Sequence, residues 1–150
     1  MTFIYRLSNL NIAIIDLSNS YVDINSPYSF SNTEGNLNIS IAGSNNDEIT
    51  LSSGRYVLYA VPYAITSGGK STNPELEFSW QVYENNSFSN KGKTGKVPVA
   101  SDTTGQNSAA LLSIDVYNSS IVRLKITNFV GTATDSGGYV RIFRSDLWHI

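Results

Sequence analysis

Two glutamates on one alternating segment could form a catalytic carboxylate pair. Glu75 and Glu77 are two residues apart, so in an extended strand their carboxyl groups lie on one face, about 7 Å apart. That separation lies in the range of a glycosidase pair. Alternating carboxylates on the exposed face of a strand usually solvate it and protect a sheet edge, and we favour this second interpretation.

The other residue types that enzymes use as nucleophile and base are scarce. The chain has no cysteine, and its one histidine, His149, lies one residue from the end, where chains fray. A nucleophile activated by a well-held base is therefore not indicated. We expect a protein without enzymatic activity and assign no catalytic residue.

Two glycine-lysine stretches resemble phosphate-binding loops but lack the required spacing. Gly69-Lys70-Ser71 and Gly92-Lys93-Thr94 have Ala64 and Ser87 where the motif needs its first glycine. The Asn-Asn-Asp-Glu sequence at residues 45–48 lacks the glycine and spaced acids of a calcium loop and predicts a turn. We assign no cofactor and no metal-binding residue.

Three lysines form a small basic cluster in a predicted loop over residues 85–107. They are Lys91, Lys93 and Lys96, and the same segment contains Phe88. We expect any recognition of an outside partner to use this loop, and a second at residues 67–74, because loops at the end of a sandwich vary without disturbing the sheets. For the lysines themselves we favour the interpretation that they only keep a loop soluble over the alternative that they bind an acidic partner surface.

The aromatic residues carry more information about assembly. The chain has nine Tyr, six Phe and two Trp, and tyrosine combines an apolar ring with a polar group in a way that suits subunit interfaces and sugar-binding surfaces. Tyr56 lies on the opposite pleat from Tyr59 and Tyr63, so at least one of these side chains faces away from the core. We predict a subunit interface that includes Tyr56, Tyr59, Tyr63, Tyr139 and Phe143.

Charge and composition exclude several partner classes. Twelve acidic and ten basic residues give a net charge of -2, which argues against nucleic acid as a partner. No stretch approaches the ~20 apolar residues of a membrane span, so we expect no membrane insertion. The start lacks the features of a secretory signal, and we expect a protein made in its final form. Cell lysis would release it as part of a virus particle.

The elements that must position these residues are strands. Leu76, Phe78, Trp80 and Val82 alternate with polar residues, and similar alternation at residues 110–117 and 121–127 flanks Asn118-Ser119, which predicts a hairpin there. No helical stripe is present. About eight to ten short strands predict an all-β, two-sheet antiparallel jelly-roll sandwich.

We divide the chain into two parts. Residues 1–24 are apolar, but their alternation slips between Ile14 and Ile15, which predicts an early strand with a bulge or an attachment arm. Residues 25–150 form the jelly roll. We expect a chain that begins near Tyr21 to fold and trimerise but to lose attachment to the particle.

Four strand segments follow one another along the chain in an order that is typical of one protein family. Gly-Arg-Tyr-Val opens a strand at residues 54–57, an alternating strand covers residues 76–83, leucine-rich and Val-Arg-Leu strands flank a turn within residues 109–124, and Gly-Gly-Tyr-Val opens the last strand at residues 137–140. This order resembles the jelly-roll subunit of the tumour necrosis factor and complement globular-head superfamily. The turn at residues 118–120 reads Asn-Ser-Ser, where that family often has Gly-Asp. The resemblance implies a homotrimer.

The same fold is similar to that of capsid decoration and fibre proteins of bacterial viruses, which share cysteine-free sequences rich in Asn, Ser and Thr, here roughly a third of the chain. We therefore expect a structural virion protein, a capsid decoration or fibre subunit assembled in the host cytoplasm. Its expected partners are itself, the major capsid or another virion protein, and a host-surface glycan. The alternative is a carbohydrate-binding module that stacks sugars on exposed aromatic rings.

Overall fold

The computed structural model describes residues 11–18, 27–65, 75–98, 108–129 and 135–145, and each regular element within them is a β-strand. All the strand pairings are antiparallel, so the prediction of an antiparallel all-β chain is confirmed. The strands in chain order are β1 (Asn11–Ser18), β2 (Ser29–Gly35), β3 (Ser40–Ala42), β4 (Glu48–Ile65), β5 (Glu75–Glu84), β6 (Ser87–Pro98), β7 (Ala110–Phe129) and β8 (Asp135–Ser145).

Hydrogen bonds link these strands into one curled sheet. Its order is β2-β1-β8-β4-β7-β5-β6, with β3 paired to β4. The curl comes from β7, which pairs with β4 up to Val122 and with β5 from Val122 onward. On the far side, β6 reaches the start of β7 through the pair Lys93 and Leu111. The sheet thus encloses a single core, and its division into two sheets stays a prediction.

The buried face of each strand follows the period-two pattern of the sequence. On β5, Leu76, Phe78, Trp80 and Val82 are all buried, as their alternation predicts. On β4 the buried positions change from odd to even numbers after Leu51, because the register with β7 shifts between Ser52 and Gly54. Such a bulge re-aims the rest of a strand, and it allows β4 to line the core from Ile49 to Ala60.

Trp80 lies at the centre of that core. The indole is 0% exposed, and it stacks on Phe30 with ring centroids 6.5 Å apart and planes at 9°. Its Nε1 donates a hydrogen bond of 3.2 Å to the carbonyl oxygen of Ala110. Because Trp80 pairs with Leu124 in the sheet, this bond joins β5 to the opposite end of β7 through the interior.

The predicted hairpin at Asn118-Ser119 is wrong, because β7 runs through both residues without a turn. A two-residue hairpin turn of the favoured type needs positive φ at both central residues. That geometry occurs at Asn85 and Asn86, with φ of 52° and 66°, and these residues join β5 to β6. Around Asn118 the strand only bulges against β4, between the pairs Gly54–Val116 and Ser52–Ser119.

The strand β1 is an interior strand of the sheet. It pairs with β2 on one side and with β8 on the other, and Ala13, Ile15 and Leu17 are buried in the core. The pairing with β2 shifts register between Ile14 and Asp16, close to the slip in the sequence pattern. Residues 1–10 and the proposed boundary at residue 24 lie outside the described residues, so the division into two parts stays a prediction.

The position of β1 reverses our expectation for a shortened chain. A chain that begins at Tyr21 lacks β1, so β2 and β8 lose their shared partner and the core loses three buried side chains. We expect this chain to show no cooperative unfolding transition in urea. A chain that begins at Leu10 retains β1 and serves as the control; equal stability of the two chains would show that β1 is dispensable.

Tyr28 is an unusual member of the core. Its ring is 0% exposed, and its hydroxyl group has no hydrogen-bond partner among the described residues. Burial raises the pKa of the Tyr28 hydroxyl above its ordinary value of 10.0 because the phenolate would lose its hydration. The buried hydroxyl therefore lowers the stability of the folded chain.

We predict that Tyr28→Phe raises the free energy of unfolding by about 1 kcal/mol near neutral pH. Because the pKa of Tyr28 is raised in the folded chain, the hydroxyl ionises above pH 10.0 in the unfolded chain while it stays protonated in the folded chain. The wild type therefore loses further stability as the pH rises from 10.0 toward the folded-state pKa, and the advantage of the variant in urea titrations should grow above pH 10.0.

The matched control is Tyr56→Phe, since the Tyr56 hydroxyl lies 3.3 Å from Ser52 Oγ and its loss removes a hydrogen bond. The Tyr56→Phe variant should be less stable than the wild type or equally stable. A loss of stability in Tyr28→Phe as large as in the control would contradict the account of Tyr28.

Candidate functional site

The outward side chains of β1, β8, β4 and the first half of β7 form one surface, here called the apolar face. Cross-strand register places Phe143 between Ile12 and Val57. Tyr59 lies between Arg141 and Leu111. The exposed fraction is 41% for Val57 and 37% for each of Leu111, Tyr139 and Phe143. The face consists of Ile12, Ile14, Val57, Tyr59, Val61, Leu111, Tyr139 and Phe143.

Three of the five predicted interface residues lie together on this face. Tyr59, Tyr139 and Phe143 point outward from β4 and β8, at positions that alternate with buried Leu58, Ala60, Val140 and Ile142. Their role in an interface stays a prediction. The strands bring them together because β4 and β8 pair directly along this stretch.

Tyr56 does not belong to that surface. It is 2% exposed, so it offers almost no area to a partner chain, and its inclusion in the interface is corrected. The reason is its position on the opposite pleat from Tyr59, which turns the ring into the core. The side chain of Tyr63 lies outside the described part of the structure.

Charged groups lie at one end of the apolar face and in its middle. Arg55 Nε is 3.3 Å from the carboxylate of Asp115, and both side chains are well exposed, so this pair contributes little to stability. A depression of about 290 Å³ lies beside it, lined also by Val57, Ser113 and Ser145. The Arg141 guanidinium lies over the Tyr139 ring, 5.1 Å from its centroid. The face thus has apolar side chains around a central Arg141, which pairs with Ile14 and Tyr59, and an ion pair at one end.

The predicted partner loop is wrong over residues 87–98, which form the edge strand β6. The Asn85-Asn86 turn returns the chain directly onto β5, so the Ser, Asn and Gly residues that suggested a loop pair with β5. Residues 99–107 and the second loop at residues 67–74 lie outside the described residues. The binding role of this segment stays a prediction.

The lysines of β6 take part in ion pairs along the strand. Lys91 Nζ lies 3.3 Å from the Glu84 carboxylate, and Lys96 Nζ lies 3.0 Å from the Glu77 carboxylate. Lys93 is exposed. Because two of the three charges are compensated by acids of β5, the predicted basic cluster has less free positive charge than the sequence indicates.

Phe88 belongs to a cluster that the sequence analysis did not identify. Its ring packs edge-on against Tyr83, with centroids 5.1 Å apart, and the Arg123 guanidinium carbon lies 3.9 Å from its centroid. Arg123 Nε donates to Gln81 Oε1 at 2.7 Å, and Gln81 Nε2 donates to Asn90 Oδ1 at 2.8 Å. We call Tyr83, Phe88, Gln81, Asn90 and Arg123 the arginine cluster.

The arginine cluster lies on the outer side of β5, β6 and the second half of β7. Gln81 pairs with Asn90 on one side and with Arg123 on the other, and its neighbours Trp80 and Val82 point into the core. The alternation of the sequence predicts an outward position for Gln81 and Arg123. Their contact depends on the register between β5 and β7, which the sequence alone does not show.

The structure describes only some of the residues that the sequence analysis considered for catalysis or metal binding. Glu77 is held by Lys96, while the side chain of Glu75 and all of His149 lie outside the described residues. At residues 43–46 the chain turns, with a hydrogen bond of 3.3 Å from Asn46 N to Gly43 O. Within the described ranges, no group of three His, Cys, Asp or Glu residues could hold a metal ion. No helix long and apolar enough to cross a membrane occurs in the described part of the chain.

Comparison with known proteins identifies the fold. No protein-family model and no curated protein matches the sequence. Among solved structures, the crystal structure of murine APRIL matches with a TM-score of 0.53 at 13% identity, over 89% of this chain and 98% of that chain. Murine APRIL is a jelly-roll protein of the tumour necrosis factor family. The likeness shows that this chain has a β-sandwich fold of the tumour necrosis factor type, as the sequence resemblance implied.

Proposed function

We propose that the chain is a non-catalytic jelly-roll subunit that assembles as a homotrimer through its apolar face. The observation that carries this proposal is the exposure of Val57, Leu111, Tyr139 and Phe143 on one sheet face, where Arg141 lies among them. Contiguous apolar surface of this kind marks interaction sites in proteins. Assembly would transfer these side chains from water to a protein interior, which is favourable.

Closed symmetry is the usual way to bury one such face in every subunit of an assembly. The likeness to a jelly roll of the tumour necrosis factor family supports three copies. In this arrangement the subunit is a two-sheet sandwich: the first half of β7 lies in the sheet that meets the partners, and the second half lies with β5 and β6 in the outward sheet.

We further propose that this trimer is a structural component of a virus particle, a capsid decoration or fibre subunit assembled in the host cytoplasm. The support is compositional: the chain has no cysteine, a net charge of -2 and a polar, weakly charged sequence. Its binding partner on the particle would be the major capsid protein or another virion protein. Attachment would leave the arginine cluster on the side away from the three-fold axis.

The position of Glu77 supports a non-catalytic role. Its carboxylate is half-buried and is 3.0 Å from Lys96 Nζ on the neighbouring strand. An ion pair across β5 and β6 stabilises the edge of the sheet, which is the interpretation that the sequence favoured for this residue.

The assembly is tested by light scattering on the purified chain at micromolar concentration. We expect a mass of three chains for the wild type. The variants Val57→Glu and Phe143→Glu should be monomeric but folded, because a buried unpaired carboxylate costs about 2 kcal/mol or more in each copy.

The control is Tyr117→Glu, since Tyr117 is 91% exposed at the bulge of β7, beyond the Arg55–Asp115 pair at the end of the apolar face. This variant should remain trimeric, and circular dichroism checks that all variants are folded. A monomeric wild type would contradict the proposal.

A further inference from the structure

The arginine cluster combines three features of a ligand site, namely an arginine that is held in place, an exposed tyrosine and an exposed amide side chain. Arg123 is held in place from two sides, by the Nε hydrogen bond to Gln81 of 2.7 Å and by the ring of Phe88, 3.9 Å away. Gln81 is itself 6% exposed and is fixed by Asn90. Because all five residues lie on strands, the cluster is rigid in the way that binding sites require.

The terminal nitrogens of Arg123 remain available to a ligand. A guanidinium group has five N–H donors, and within the described residues only the Nε donor of Arg123 is engaged. The acids nearest along β5 are already paired, Glu84 with Lys91 and Glu77 with Lys96. Arg55, by comparison, is paired with Asp115. Among the described residues Arg123 has no ion-pair partner, and its planar guanidinium group fits a carboxylate in a bidentate arrangement.

The groups around Arg123 favour a sugar as the carrier of that carboxylate. Tyr83 is 43% exposed, and its amphipathic ring can stack against a pyranose. The Asn90 side chain is exposed and offers amide groups to sugar hydroxyls. An acidic peptide would gain less here, because Lys91 and Lys96 are already paired with Glu84 and Glu77.

We propose that the arginine cluster binds an acidic pyranose, such as a uronic or sialic acid unit of a surface polysaccharide. Arg123 takes the carboxylate, Tyr83 stacks against the ring, and Asn90 bonds to hydroxyl groups, while Phe88 and Gln81 position the guanidinium. The whole site lies within one chain, so it does not depend on the proposed trimer. A trimer would present three such sites and raise the avidity for a polymer.

The test is a nuclear magnetic resonance titration of the full chain with methyl glucuronide, monitored at the Arg123 Nε–H and at the rings of Tyr83 and Phe88. A shallow site for one sugar should bind with a dissociation constant of about millimolar. Arg123→Lys keeps the positive charge but loses the planar guanidinium group that binds a carboxylate through two parallel hydrogen bonds. We therefore expect the affinity for methyl glucuronide to fall about tenfold. Tyr83→Ser should lower the affinity for methyl glucuronide, and this variant should still bind methyl glucuronide more tightly than methyl glucoside.

Arg55→Lys is the matched control, because it alters an exposed arginine of the other sheet face; it should bind methyl glucuronide like the wild type. Methyl glucoside should bind much more weakly than methyl glucuronide. Equal binding of both sugars, tighter binding of a short Asp-Glu peptide, or no response at any of the three residues would overturn the proposal. Light scattering on the same samples reports the oligomeric state separately, so a failed trimer and a failed sugar site are distinguishable.

Discussion

The packing of Trp80 between the two halves of the curled sheet is the interaction on which the rest of the fold depends. The indole leaves β5 beside Leu124 and reaches the Ala110 carbonyl at the other end of β7. A buried indole N–H without an acceptor would be costly, so the halves must approach at this spacing. Phe30 stacks on the same ring and brings the start of β2 over the core. One side chain thus links three regions that are far apart in sequence.

Closure around this core leaves two outer surfaces with different chemistry. The outer side of β1, β8, β4 and the first half of β7 is apolar, whereas the outer side of β5, β6 and the second half of β7 carries the arginine cluster. The strand β7 contributes to both, through Leu111 on one surface and Arg123 on the other. Assembly through the apolar face and ligand binding at the arginine cluster would therefore use different residues, so one chain could do both.

Local turn chemistry explains where sequence reasoning and structure differ. Two Asn-containing dipeptides, Asn85-Asn86 and Asn118-Ser119, both follow an alternating strand, yet only the first adopts positive φ at both residues and reverses the chain. At the second, the strand continues because β4 lies alongside it and pairs on both sides of the bulge. The polar composition of β6 has a related cause: as an edge strand it is largely exposed, so its Ser, Asn and Lys residues resemble those of a loop.

By itself, the sequence determined the strand class, the buried faces and the outward position of most surface residues, because the alternation of side chains along a strand is a local property. Leu76 to Val82 on β5 and the opposite pleats of Tyr56 and Tyr59 are examples. Only the tertiary structure decided which strands are neighbours and in which register. That choice joins Arg123 to Gln81, distant in sequence, places Tyr59, Tyr139 and Phe143 on one face, and makes β1 an interior strand. These are non-local pairings, set by how the whole chain closes around Trp80, and no local pattern specifies them.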